Sequence, residues 1–239
     1  KIFKENLDSI EGAITKAKGL NGRLLVFLST SATSSDLYEI TYQQGEIIHT
    51  PVKTYSGKDY TTAAGITQLL NDVKDNAYAL NYAMMIGCHG CGWTYKSDWT
   101  NYPYQAKMNF MGANDASWNQ AKASPFSNYV DDTPTPLTRF FGSVTDMSNA
   151  IDISDLANGI QEAGIKMQFI MFDDCYMANV ETAYELRNAT NFLIGSTSEV
   201  MLIGVPYQTV WSTLAKPTPA YEQAISAFNT YYKSYTMPY

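Results

Sequence analysis

Apolar residues at Ile2, Phe3, Leu7, Ile10, Ile14 and Ala17 recur at intervals of three and four, which predicts an amphipathic helix stopping near Gly19. The unbroken apolar run at 24–28 has the pattern of a strand buried on both faces. Residues 37–48 read as two strands around the turn Tyr42-Gln43-Gln44-Gly45-Glu46. A second helical period, with Ala64, Leu69, Leu70 and Val73, covers 61–74. A buried strand at 82–86 then runs into Gly87-Cys88-His89-Gly90-Cys91-Gly92-Trp93.

From 94 to about 149 the period is lost among four prolines and many Asn and Ser residues. A patternless stretch of that length inside a compact domain is usually functional or processed. Order returns at 152–164, a helix with Asp152 as its cap, Leu156, Ile160 and Ala163 inward and Gly164 as its stop. A third buried strand at 166–172 ends at Asp173-Asp174-Cys175, and a helical pattern resumes at 177–186, which puts Cys175 near a helix start. A fourth strand at 192–195 leads to Ser196-Thr197-Ser198-Glu199, the chain from Pro206 reads as loop, and a last helix covers 221–235. Strands alternating with helices predict an α/β fold, a three-layer α/β/α sandwich with a mostly parallel sheet, in one domain spanning 1–239. Ligands on such sheets sit at the carboxyl ends of the strands, where His89 and Cys175 both fall.

Charge narrows the functions. Lys and Arg total 16 against 23 Asp and Glu, a net charge of −7, which excludes the basic face that nucleic acid requires. Charged residues make up 16% of the chain, below the usual share of about 25%, while 18 Tyr, 10 Phe and 4 Trp argue against disorder. No apolar run approaches the roughly 20 residues of a membrane span. The abundance of Tyr, Asn, Ser and Thr, with a chain opening at Lys1, reads as an exported protein whose targeting segment lies outside this sequence.

Only two histidines are present. His49, before Thr50-Pro51, reads as structural; His89 sits among glycines whose backbone is free to approach a ligand. Cys175, with a histidine for proton transfer and backbone amides for an oxyanion, supplies the parts of acyl transfer. Two other readings stay open. Cys88-His89-Gly90-Cys91 has CxxC spacing and, with Cys175, enough donors for a metal or a redox pair, although the helix expected after a redox CxxC is missing. The aromatic stretch 93–129 (Trp93, Tyr95, Trp99, Tyr102, Tyr104, Trp118 and Tyr129) suits a non-catalytic glycan- or protein-binding surface.

The segment Cys88-His89-Gly90-Cys91-Gly92-Trp93 resembles the histidine motif of the clostripain (C11, clan CD) cysteine peptidases, and Phe172-Asp173-Asp174-Cys175-Tyr176-Met177-Ala178-Asn179-Val180-Glu181 resembles their nucleophile motif. Arg139-Phe140-Phe141-Gly142, Ile153-Ser154-Asp155-Leu156 and Gly195-Ser196-Thr197-Ser198-Glu199 are similar to the family in order and spacing. The resemblance implies a caspase-like fold. It makes Cys175 the nucleophile, His89 its acid–base partner, and the amides of Gly90 and Cys175 the oxyanion hole. Asp173 takes the place of the acid that receives a Lys or Arg at P1, the residue before the cut. Activation by cleavage in the loop is implied, at Arg139 first and at Lys122 or Lys107 otherwise. No cofactor is required, no metal ligands are assigned, and calcium is allowed by the resemblance; the partners are peptides with a basic P1 residue. Cys91 stands where the family has a small residue, which leaves a Cys88–Cys91 disulfide open. The family's extra strand before the first helix and extra chain after the last make this sequence resemble an internal fragment.

Overall fold

The computed structural model describes residues 2–31, 33–92, 96, 140–143, 146–201 and 203–235. It is an α/β structure. Helix α1 (Ile2–Ala17) leads into strands β1 (Leu24–Ser31), β2 (Ser34–Gln43) and β3 (Glu46–Ser56). These pair as an antiparallel meander whose second turn holds Gln44 and Gly45 at φ 54° and 94°, the left-handed pair a two-residue hairpin needs. The run expected to be buried on both faces is therefore a half-buried edge strand, since β1 pairs only with β2. Pro51 is tolerated in β3 because that strand is the opposite edge of the meander.

Helix α2 (Ala63–Asn76) is capped by Thr62, whose hydroxyl accepts from Gly65 N–H at 3.1 Å. Strand β4 (Met84–Gly87) follows, then β5 (His89–Cys91), β6 (Phe140–Gly142), β7 (Ala150–Asp152), helix α3 (Ile153–Glu162), β8 (Ile170–Asp173), helix α4 (Val180–Leu186), β9 (Leu193–Ile194), and helices α5 (Tyr207–Leu214) and α6 (Tyr221–Ser234). The three hydrogen-bonded sheets are β1-β2-β3, β4-β8-β9 and β5-β6-β7, and only β4-β8-β9 is parallel. That departs from a mostly parallel sheet. Two hairpin-like excursions, one before the parallel strands and one beyond their ends, carry the antiparallel pairings.

Strand β8 is buried along its length, with alternate residues on opposite faces. Ile170 and Phe172 join a core with Ile66 and Leu70 of α2, and Ile153, Leu156 and Ile160 of α3. Met171 joins Phe169, Tyr207, Val210, Leu214 and Ala224 on the other side, under α5 and α6. Next to that second core, Ile14 of α1 and Trp211 of α5 pack with Ile40 of the meander. Burial of each such side chain contributes about 1.5–3 kcal/mol.

Several expectations shift. The irregular stretch at 94–149 contains β6 and a 3-10 turn at Met147–Asn149. The loop expected from Pro206 contains α5; its eight residues, rich in Thr and Ser, show too little period to be read beforehand. Asp152 sits at the N-cap of α3 without bonding its amides. Its carboxylate instead accepts from Lys96 N–H at 3.4 Å and lies 3.9 Å from Lys96 Nζ.

Candidate active site

Strands β4 and β8 run side by side, and their last paired residues are Gly87 and Asp173. His89 and Cys175 each follow two residues later, so the parallel register delivers both to one end of the sheet. From there the chains diverge: His89 opens β5, which pairs with β6, whereas Cys175 enters a turn with Tyr176 at φ 61°. The loop after β9 closes over this turn, Tyr176 N–H donating to Ser198 O at 3.0 Å and Ala178 N–H to Ser196 O at 2.9 Å. All three parallel strands thus send their following loops to one place.

Two glycines allow the segments to touch. A Cβ on Gly90 would overlap the Cys175 carbonyl and lie 2.8 Å from Asp174 Cβ and 2.9 Å from Met177 Cγ. A Cβ on Gly92 would overlap the Tyr176 carbonyl and lie 2.6 Å from Asn179 Nδ2. Asn179 ties the junction together: its Nδ2 donates to Gly92 O at 3.1 Å and Tyr176 O at 2.8 Å, while its Oδ1 accepts from Thr182 N–H at 2.9 Å as the cap of α4. The helix after the nucleophile motif begins at Val180, so Cys175 is not at a helix N-terminus. Its local donor is Val200 N–H, 3.3 Å from Sγ, with Val200 O at 3.8 Å as acceptor for the thiol proton.

The two adjacent carboxylates do different work. Asp174, 1% exposed, accepts from Cys88 N–H at 2.6 Å and from the Cys88 thiol at 3.2 Å. Burial lifts its carboxyl to about 7 against the pull of those two bonds. Burial, followed by the charge of Asp174, pushes the Cys88 thiol well above its ordinary range, which keeps it protonated and unreactive. Asp173, 6% exposed, accepts from Val205 N–H at 3.0 Å on Oδ1, and from Asn6 Nδ2 at 2.8 Å and the Tyr207 hydroxyl at 3.1 Å on Oδ2. Burial raises its carboxyl too, and the Tyr207 and Val205 bonds oppose the rise.

The backbones around His89, Gly90, Asp173 and Cys175 are therefore brought together. His89 is exposed, and among the described residues its ring makes no hydrogen bond. Cys175 N–H has no backbone partner among the described residues either. His49 bonds Glu11 at 2.8 Å, in keeping with a structural role. Arg139, Lys122 and Lys107 lie outside the described residues, as do the aromatic residues of 93–129. No disulfide joins Cys88, Cys91 or Cys175, and no group of three or more His, Cys, Asp or Glu among the described residues is arranged to hold a metal. Asn6, Tyr207 and Val200 were not legible as site residues, because each reaches the site from a different element and nothing in its local pattern marks it; Asn179 lies within the nucleophile motif, but its tie to Gly92 shows only in the fold.

Comparison with known proteins places this arrangement. Residues 127–239 match the model of the clostripain family, Peptidase_C11. A solved structure of a secreted C11 cysteine protease from Bacteroides thetaiotaomicron, "iotapain", is 35% identical with a TM-score of 0.79, the match covering 99% of this chain and 59% of that one. The second half of the chain is thus similar to the clostripain family, and the whole of it to a C11 cysteine protease. An inactive zymogen C11 protease from Parabacteroides distasonis is similar in fold at 23% identity and TM-score 0.69, covering 98% of this chain and 54% of that one. A second secreted C11 cysteine protease from Bacteroides thetaiotaomicron, in complex with an irreversible peptide inhibitor, is similar in fold at 19% identity and TM-score 0.66, covering 98% and 55%. The chain spans less than three fifths of the length of these structures. No curated protein matches it.

Proposed function

We propose that this chain carries the catalytic site of a cysteine endopeptidase that cuts after Lys or Arg. The observation that carries the reading is the register of β4 against β8, which sends the two motifs to one sheet end and packs Gly90 against the Cys175 carbonyl. In the reaction, His89 takes the thiol proton and Cys175 Sγ attacks the scissile carbonyl carbon. The oxygen gains charge facing the amides of Gly90 and Cys175. Collapse breaks the C–N bond, His89 returns its proton to the leaving amine, and a thioester remains. Water activated by His89 then hydrolyses the thioester and restores the thiol. Asp173 receives the basic P1 side chain; a neutral one would leave its carboxylate without an ionic partner. No cofactor or metal takes part in these steps.

The same reading extends to the rest of the chain. The whole forms one caspase-like domain, a three-layer α/β/α sandwich, supported by the alternation of β8 between cores on opposite faces. Its activity rises on cleavage of the loop at Arg139, with Lys122 and Lys107 as further sites. It works outside the cytoplasm; no helix among the described residues is long and apolar enough to cross a membrane. The test is a panel of fluorogenic peptides varied at P1, given to the wild type and to Cys175→Ala. Cleavage after Lys and Arg that vanishes in Cys175→Ala is expected. A Cys175→Ala protein with more than a few per cent of wild-type turnover would overturn the proposal.

A further inference from the structure

Resting on the proposal that Asp173 receives the P1 side chain, we infer that Asn6 and Tyr207 make this site select lysine over arginine. A carboxylate offers about four lone-pair positions, two on each oxygen. On Asp173, Oδ2 already accepts from Asn6 Nδ2 at 2.8 Å and the Tyr207 hydroxyl at 3.1 Å, so both of its positions are taken. Among the described residues, Oδ1 accepts only from Val205 N–H at 3.0 Å, which leaves one position. The carboxylate has room for a single further hydrogen bond.

Gly204 lies directly against this carboxylate. This residue has φ +61°, and a Cβ on it would lie 3.0 Å from Oδ2 and 3.2 Å from Oδ1, covering the carboxylate. Its conformation is pinned by the Tyr232 hydroxyl, which donates to Gly204 O at 3.0 Å. The missing side chain leaves the space beside both oxygens and Asn6 Nδ2, 3.1 Å from that Cβ position, without a methyl group, and of the two oxygens Oδ1 is the one with capacity.

Lysine and arginine use such an acceptor differently. An ammonium is a compact charge with three donors, and one of them suffices for Oδ1; the phenolic oxygen of Tyr207 and the amide oxygen of Asn6 are acceptors for the others. A guanidinium gains its advantage from two parallel bonds to both carboxylate oxygens. Here the second bond requires Oδ2 to release Asn6 or Tyr207, and a released Tyr207 hydroxyl, 4% exposed as a residue, finds no water in exchange. Loss of one charge-assisted bond corresponds to about a tenfold disadvantage for arginine. Asn6 and Tyr207 therefore act as specificity residues through Asp173.

The experiment uses the full chain and three peptides identical except at P1, which is Lys, Arg or norleucine, a neutral analogue of Lys. Wild type is expected to favour Lys over Arg by about tenfold in kcat/KM. Tyr207→Phe, which keeps the ring and its packing, and Asn6→Ala, at a partly exposed position, each free one position on Oδ2. Each is expected to shrink the Lys/Arg ratio severalfold by improving Arg cleavage. Because the ratio is taken within one preparation, loss of folded protein cancels from it. A wild-type ratio at or below one would overturn the inference while leaving a basic P1 preference intact, and so would a ratio unchanged in both variants. Cleavage after norleucine as fast as after Lys would overturn the role of Asp173 itself.

Discussion

At the scale of single residues, Asp174 is the group with the clearest consequence. Its carboxyl titrates near 7 in the folded chain and near the ordinary value of about 3.9 when unfolded. Between those values the folded state binds more protons, so stability falls as pH rises from about 4 to about 7. Asp174→Asn keeps an acceptor for Cys88 N–H and removes the titration. The variant should melt at a higher temperature than wild type at pH 8 and show no such gain at pH 5, as calorimetry across the range would reveal. Asp173, raised by burial as well, leaves a residual slope of the same sign. Catalysis behaves differently: Cys175→Ala and His89→Ala should each abolish turnover, and the double variant should be little worse than either, since nucleophile and proton carrier act as one unit. The candidacy of His89 and Cys175 was legible because each lies just past an apolar run, whereas Asp173 was marked only by the motif it resembles. The Asp174–Cys88 pair, and the hold of Asn6 and Tyr207 on Asp173, were not, because side chains far apart in sequence meet only after packing.

At the scale of elements, the same chemical change should act in opposite directions on two helices. Gly12 is exposed on α1, and a Cβ there would meet nothing nearer than Gln208 Nε2 at 3.8 Å. Gly12→Ala should therefore stabilise the protein by up to about 1 kcal/mol through helix propensity. On α3, a Cβ at Gly159 would lie 2.6 Å from Ile66 Cβ and 2.8 Å from the Ala63 carbonyl oxygen of α2. Gly159→Ala should cost about 1–3 kcal/mol by forcing the two helices apart. Chemical denaturation of both variants checks the pair. Periodicity located α1, α2, α3 and α6 because each has one apolar face. It failed for α5, whose eight residues lie between prolines, and for β6, three residues whose identity as a strand comes from pairing with β5 and β7. The meander's twisted edge, rather than a central strand, claimed the apolar run at 24–28 for the same reason: an edge and a centre differ in their neighbours, not in their own sequence.

At the scale of the whole molecule, the two halves on either side of the proposed processing site are interlocked. Strand β5 pairs with β6, and β4 with β8, across that site, while Ile66 and Leu70 of α2 share a core with Leu156 and Ile160 of α3. Cutting after Arg139 should yield pieces of about 15 and 11 kDa by length that co-elute on gel filtration and separate only in denaturant. Wild type should generate them on incubation, with Phe140 as the new amino terminus, and purified Cys175→Ala should not; cutting of that variant at the same rate would assign the work to another enzyme. An α/β architecture was foreseeable from alternating elements, but which strands join which sheet depends on contacts that no local window contains. The parallel pairing of β4 with β8 also sets a clock on biosynthesis. His89 and Cys175 lie as far apart as Cys88 and Asp174, a separation of 86 residues. At roughly 5–20 residues per second, a ribosome releases the histidine some 4–17 seconds before the cysteine. On the proposed mechanism, the nascent chain holds throughout that interval a proton carrier whose nucleophile has not yet been made.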